Sequence, residues 1–255
     1  MPLIKITTAL AFATLLLTGA VRAEIKTQSI DYKHGDVVLE GYVAFDDSKT
    51  GKRPAVVIYH QWTGPSEHER SVARELAKLG YVAFVADIFG KGVRPAPPKE
   101  AAAEMGKYTK DRRLLRARAK AGFDHVASLA NVDASRIAVI GYCFGGTTAL
   151  ELGRAGLPAK SFVSLHGSLS NPAPDDVRNF KAPVLVLHGA ADSIVSDKEV
   201  ETFLTEMRAA NLDVTFASYS GAPHGFTQPG NSFRPVAAAR AWQTMNNFLN
   251  ETLGN

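Results

Sequence analysis

Six near-continuous apolar runs recur along the chain: "RPAVVIYH" (53–60), "YVAFVADIF" (81–89), "RIAVIGYC" (136–143), "AKSFVSLHG" (159–167), "APVLVLHG" (182–189) and "VTFASYS" (214–220). Rich in Val, Ile and Phe, they predict strands buried on both faces of a parallel sheet. Ahead of them, "TQSIDYK" and "VVLEGYVAF" alternate apolar and polar positions and predict an antiparallel hairpin at the sheet edge. Helical spacing fills the gaps. Ser66 to Glu69 has the form of a capping box, opening a helix with Val72, Leu76 and Leu79 on one face and Gly80 at its end. Ser196 to Glu199 repeats that signature ahead of Val200, Phe203, Leu204 and Met207. Between 107 and 130, Leu115, Ala119, Phe123, Val126 and Ala130 form one stripe, and a last helix carries Ala238, Trp242, Met245 and Leu249. Strands alternating with helices predict an α/β fold, a mostly parallel doubly wound sheet with helices on both faces. The segment 90–108 reads as the longest irregular connection, placed to act as a lid or pocket wall.

The amino terminus departs from this pattern. Lys5, the apolar stretch Ala9 to Leu17 and the small-residue site Val21-Arg22-Ala23 make residues 1–23 a secretory signal, too short to span a membrane. A mature chain starting near Glu24 forms one domain, 24–255, exported to the periplasm or secreted, without stable membrane insertion. Cleavage removes Lys5 and Arg22 and lowers the net charge from +4 to +2, which argues against nucleic acid as a partner. "KYTKDRRLLRARAK" (107–120) is basic, but its regular apolar stripe makes it a sheet-covering helix. Export also makes the one cysteine, Cys143, notable: it has no intramolecular disulfide partner, so it is buried filler or chemically useful.

Its position favours chemistry. In open parallel sheets ligands bind beyond the carboxyl ends of the strands, and Cys143 ends one of the predicted strands. Gly141-Tyr142-Cys143-Phe144-Gly145 fits a nucleophile elbow with Cys in place of Ser. Side chains at the glycine positions would collide with the sheet and the following helix, whose amino terminus favours an anion at the sulfur. Asp192, just past the strand at 182–189, and His224, just past the last strand, follow in the order nucleophile, acid, histidine. His224 would take the thiol proton and later activate water, with Asp192 fixing its tautomer. Taken singly, Asp192 is a turn acid and His224 a loop histidine; their order and their strand-end positions together make the triad.

The mature chain resembles the dienelactone hydrolase family of α/β-hydrolases, through "HQWTG" (60–64), "GYCFGG" (141–146), "HGAAD" (188–192) and "PHGF" (223–226). The resemblance implies the α/β-hydrolase fold, the triad Cys143, Asp192 and His224, and an oxyanion hole from the backbone N–H groups of Trp62 and Phe144. Hydrolysis of small esters or lactones follows from it, with no cofactor. Two positions depart from the family. Gln61 stands where the family has a glutamate that holds the resting thiol and helps deprotonate it. Gly225 and Gln228 stand where dienelactone binders carry a serine and an arginine that grips the substrate carboxylate. Gln61, Trp62 and Arg94 are the candidate substrate contacts, and Arg94 or one of Arg112, Arg113 and Arg116 is where a replacement cation would come from, unless these are solvated surface charges.

His60, His166 and His188 also sit at strand ends, but without the short ligand spacings of a zinc motif they are no metal site. Two alternatives accompany the hydrolase reading: a general carboxylesterase without lactone preference and, because of Gln61, a catalytically silent binding protein on the same scaffold. The sequence leaves the oligomeric state open.

Overall fold

The computed structural model describes residues 24–254, so the leader predicted over 1–23 lies outside the described residues. Eight strands make one sheet: β1 (Ile25–His34), β2 (Val37–Asp46), β3 (Arg53–Tyr59), β4 (Val82–Ala86), β5 (Val132–Tyr142), β6 (Ser161–Leu165), β7 (Val184–Gly189) and β8 (Val214–Tyr219). Their order is β1-β2-β4-β3-β5-β6-β7-β8. The hairpin β1–β2 is antiparallel, and β2 also runs antiparallel to β4, while every pairing from β4 to β8 is parallel. The apolar runs explain this arrangement, since every residue of β3, β4, β6 and β7 is buried. Alternate side chains enter different cores: Val57 and Tyr59 face one side of the sheet, Val56 and Ile58 the other. Complete burial of such side chains contributes about 1.5–3 kcal/mol each.

On the Val56 side lie α1 (Glu67–Lys78), through Val72 and Leu76, and α6 (Pro235–Leu253), through Ala241, Met245 and Leu249. The other side is covered by α2 (Lys99–Lys110), α3 (Arg112–Ala127), α4 (Phe144–Arg154) and α5 (Asp197–Ala209). The capping box of α1 is complete: the Ser66 side chain accepts from the backbone, and Glu69 reaches back to the Ser66 N–H. Leu79, expected on the buried face, lies one residue past the helix and is 45% exposed, because the chain turns there into Gly80 at φ 101°.

Three other expectations are corrected. The 90–108 connection is not wholly irregular, since α2 occupies its second half. The helix read over 107–130 is two helices, broken at Asp111, whose φ −115° and ψ 87° leave the helical region while its carboxylate accepts from Leu114 N–H to cap α3. Ala130 lies beyond the end of α3 and is exposed. The second capping box is half formed. Ser196 caps α5, but the Glu199 carboxylate accepts instead from Leu169 N–H, Ser170 N–H and the Ser168 hydroxyl, pinning the loop after β6.

Helix α4 is buried along its whole length and enters the sheet more closely than any side chain would allow. A Cβ on Gly145 would overlap the Tyr59 carbonyl at the end of β3, and one on Gly141 would overlap the Gly145 carbonyl. These neighbours are main chain and have nowhere to move. Gly145→Ala is therefore expected to destabilise the fold by about 3 kcal/mol. Gly106→Ala, on an open face of α2, should instead stabilise it by up to about 1 kcal/mol. Urea denaturation midpoints of the two variants check both signs.

Candidate active site

The packing of α4 against β3 and β5 forces a sharp reversal between strand and helix. Cys143 makes it, at φ 54° and ψ −113°, a left-handed conformation that L residues avoid and that holds the thiol clear of the sheet. Its amide continues the sheet by donating to Leu165, and its carbonyl accepts from Thr147 N–H. The sulfur lies 3.1 Å from His224 Nε2.

His224 stands in the loop after β8 and Asp192 in the loop after β7. Asp192 is anchored through Oδ1, which accepts from the backbone N–H groups of Ile194 at 2.8 Å and Val195 at 3.1 Å. Its other oxygen is 2.9 Å from His224 Nδ1. The two loops are stitched together where Ala191 N–H donates to the Ala222 carbonyl. Burial opposes a charge on His224, yet the Asp192 carboxylate and the Cys143 sulfur outweigh it and raise the imidazole to about 10. Burial likewise works against the Asp192 carboxylate, but the hydrogen bonds from His224 and the two amides win, and its pKa falls below the ordinary value.

Neutral histidines shape the surroundings. Fully buried His60 accepts at Nε2 from Ile88 N–H, so its proton sits on Nδ1 and is donated to the Gln61 carbonyl. Burial lowers its pKa and keeps the ring neutral, and the two hydrogen bonds tie the loop after β3 to the end of β4. That loop presents Gln61 and Trp62. Neither Trp62 N–H nor Phe144 N–H, the first amide of α4, donates to another backbone carbonyl among the loop and turn hydrogen bonds of the described residues. His166, also buried, is held down to about 3 by desolvation first and by the charge on His224 second. Its Nε2 is 2.9 Å from the Thr227 hydroxyl, and its ring packs edge-on to His224 at 5.3 Å.

Two cavities meet over Cys143, sharing Trp62 and His224 as walls. The larger, about 420 Å³, is mostly apolar and includes Met105 and Thr109 from α2, Arg112 from α3, Phe144 and Thr147 from α4, and Ile194. The smaller, about 200 Å³, is lined by Gln61, Gly225, Gln228, Asn231 and Ser232. Gln61 donates its amide to the buried Glu69 carboxylate at 3.2 Å. A wider cleft of about 670 Å³ between β1 and α3 lies elsewhere, among Lys33, Lys120 and Asp124, and has no Cys, Ser or Thr in its lining. Among the described residues, no three His, Cys, Asp or Glu side chains gather as a metal ion would require, and no helix is long and apolar enough to cross a membrane.

Of the predicted residues, the fold brings Cys143, Asp192, His224, Gln61, Trp62 and Phe144 together. Arg94 is the exception. Its guanidinium is turned to the Glu40 carboxylate at 3.2 Å and to the Val93 carbonyl, and it lines neither cavity. Arg113 is exposed, and Arg116 pairs with Glu151 and Asp176. Arg112 is the arginine of that helix that reaches the cavity wall. Sequence reasoning passed over Met105, Thr109, Thr147 and Ile194; Met105 lies within the 90–108 segment read as a lid or pocket wall and Thr109 next to it, and that was the available signal.

A mostly parallel sheet with helices on both faces, carrying a cysteine, an acid and a histidine at the carboxyl ends of β5, β7 and β8 in that order, has the form of an α/β-hydrolase. The chain belongs to the dienelactone hydrolase family, whose model matches residues 39–253. A Salmonella typhimurium protein named "Putative carboxymethylenebutenolidase" is 30% identical over 247 residues, covering 89% of this chain and 86% of that one. The crystal structure of a dienelactone hydrolase-like promiscuous phosphotriesterase from metagenomic libraries superposes with a TM-score of 0.86 at 33% identity, over 91% of this chain and 99% of its own. A structure titled m3DLH gives 0.87 at 35% identity, over 90% and 99%.

The raised pKa of His224 has a definite sign. The stabilisation from its charged form is complete below the ordinary value of 6.5 and is lost as pH climbs towards about 10. NMR of the His224 imidazole should show deprotonation near that upper value, moving back towards 6.5 in Asp192→Asn. An unmoved titration would mean that the carboxylate does not hold the proton in place.

Proposed function

We propose that this chain hydrolyses small carboxylic esters or lactones through a thioester formed on Cys143. One observation carries the reading: the sulfur sits 3.1 Å from an imidazole nitrogen whose other nitrogen is 2.9 Å from a buried carboxylate. With His224 protonated and Nδ1–H given to Asp192, Nε2–H points at the sulfur, which accepts the hydrogen bond as a thiolate. The sulfur lone pair attacks the ester carbon, and the carbonyl π electrons move to the oxygen. Trp62 N–H and Phe144 N–H would hold that oxyanion. As the tetrahedral species collapses, the C–O bond breaks and the leaving oxygen takes the Nε2 proton; from a lactone it stays tethered to the acyl group. His224, now neutral, removes a proton from water, and the hydroxide attacks the thioester. A second collapse expels the thiolate and returns the acid. Amides are poorer substrates, because the thiolate leaves more readily than an amine.

Gln61 cannot accept a proton, so in this reading activation of the sulfur rests on His224. The names of the relatives support lactones within the substrate range, and the cavity of about 420 Å³ suits a small acyl group. Export by cleavage after Ala23 accompanies the proposal. Intact mass of protein recovered from the periplasm or medium should place the first residue at Glu24; retention of residues 1–23 in that fraction would overturn cleavage.

Replacing Cys143 with Ala should lower ester turnover at least a thousandfold while leaving the thermal midpoint within a few degrees. Mass spectrometry after a brief pulse of an activated aryl ester should find one acyl group on Cys143 in the wild type. A silent binding protein would give no adduct and no turnover. Equal kcat/KM on an unsaturated lactone and a simple aryl acetate would identify a general carboxylesterase.

A further inference from the structure

One buried polar side chain beside the site takes no part in the reaction above. His166 follows the last residue of β6, and its place is unfavourable in two ways. Its φ of 41° lies in the left-handed region that favours glycine. Its Nδ1 is buried without a hydrogen-bond partner, a cost that an apolar ring of similar size would avoid. Stability alone therefore gives no reason for a histidine here, but its contacts do. The His166 N–H donates to the Leu187 carbonyl at 2.9 Å, on the strand that leads to Asp192. Its Nε2 is 2.9 Å from the Thr227 hydroxyl, and Thr227 stands three residues beyond His224 in the same loop. Its ring lies against the His224 ring at 5.3 Å and against Phe226 at 5.8 Å. The loop is thus held on both sides of His224. Before it, the Ala222 carbonyl accepts from Ala191 N–H in the Asp192 loop; after it, the bond to His166 ties Thr227 to the end of β6. Two further bonds, Gln228 N–H to Gly225 and Arg234 N–H to Phe226, run within the segment after β8 and do not reach the sheet.

We propose that His166 is a positioning residue for His224, acting through the Thr227 hydroxyl and the edge-on ring contact to keep that imidazole between Asp192 and Cys143. Its effect on turnover rests on the hydrolase reading above; its effect on the imidazole does not. An imidazole that must meet a carboxylate through one nitrogen and a sulfur through the other has little freedom, since a displacement of about 1 Å at such a site costs on the order of a hundredfold in rate. Burial first, and the charge on His224 second, keep His166 neutral, with His68 adding to the repulsion and Asp192 opposing it. The ring can therefore lie against a charged neighbour without repelling it. Its neutrality also makes the test clean: replacing it removes no charge from beside His224, so a changed titration of His224 reports movement.

The test compares the wild type with Thr227→Val, which keeps the shape of the side chain and removes its hydroxyl, Thr227→Ser, which keeps the hydroxyl, and His166→Phe, which keeps a ring and removes its nitrogens. In Thr227→Val and His166→Phe, NMR should show the His224 imidazole losing its proton at lower pH than the wild type, whose value is about 10, because the carboxylate and the sulfur that favour its charge are no longer both in reach. Thr227→Ser should titrate as the wild type does. For an aryl acetate, kcat should fall about tenfold in the first two variants while KM changes by less than about twofold. A His224 titration unmoved in both variants, or a wild-type kcat in a variant whose titration has moved, would overturn the proposal, and a lowered thermal midpoint would not rescue it. Thr227→Val decides the matter if His166→Phe does not fold. If the wild type hydrolyses no ester but the titration moves, the hydrolase reading fails and the positioning role stands. If esters are hydrolysed and the titration does not move, the positioning role fails alone.

Discussion

Two main-chain segments touch where most proteins would have side chains between them. The first turn of α4 lies directly on the end of β3, with the Gly145 α-carbon against the Tyr59 carbonyl, and Gly141 lies equally close to the Gly145 carbonyl. A helix that must start so near a strand cannot be approached through a relaxed loop, so the residue between them, Cys143, adopts a conformation no L residue prefers. Close packing holds the strain, and the consequence is geometric. The sulfur stands at the carboxyl end of β5, 3.1 Å from His224 Nε2, where α4 begins. The other parts of the site are arranged around that fixed point.

They are held by hydrogen bonds between loops more than by hydrophobic contact. His60 clamps the loop of Gln61 and Trp62 to β4, Glu199 pins the loop after β6, and Asp192 takes two amides of its own loop before it meets His224. His60 and His166 are buried and neutral because desolvation outweighs the carboxylates near them. His224 is charged because its balance tips the other way: an anchored carboxylate and a sulfur both lie within hydrogen-bonding reach. Three imidazoles near one site therefore serve different ends according to what their nitrogens face.

This explains what could be read from the chain in advance. The sheet was legible because buried parallel strands demand unbroken apolar runs, and the elbow because Gly141 and Gly145 are a steric necessity. Chain order then selected Asp192 and His224. Helix α2 was hidden: it buries only Ala101 and Tyr108, so it lacks the stripe by which a helix is recognised, and the prolines before it suggest a loop. The break at Asp111 was hidden for a related reason, since a capping aspartate inside a basic run looks like one more surface charge. Arg94 was misplaced because its partner, Glu40, is 54 residues away on the hairpin strand β2. Pairing across such distances depends on tertiary structure, and no local pattern records it.

The same limit applies to Gln61, and here the structure alters what the substitution means. Taken alone, an amide in place of a carboxylate looks like the loss of a proton acceptor beside the thiol. In the fold, a carboxylate is still near: Glu69, wholly buried, receives the Gln61 amide while its second oxygen accepts from the Ser66 N–H and hydroxyl. That acid is the N3 partner of Ser66 in the capping box of α1, committed to the helix terminus and to the amide it holds. A glutamate at position 61 would bring two carboxylates together in a buried place, which raises the energy of ionising both. The amide removes that repulsion and supplies a donor that Glu69 can use. In the proposed reaction the exchange would leave His224 as the proton acceptor for Cys143, consistent with an imidazole whose charge is so strongly held.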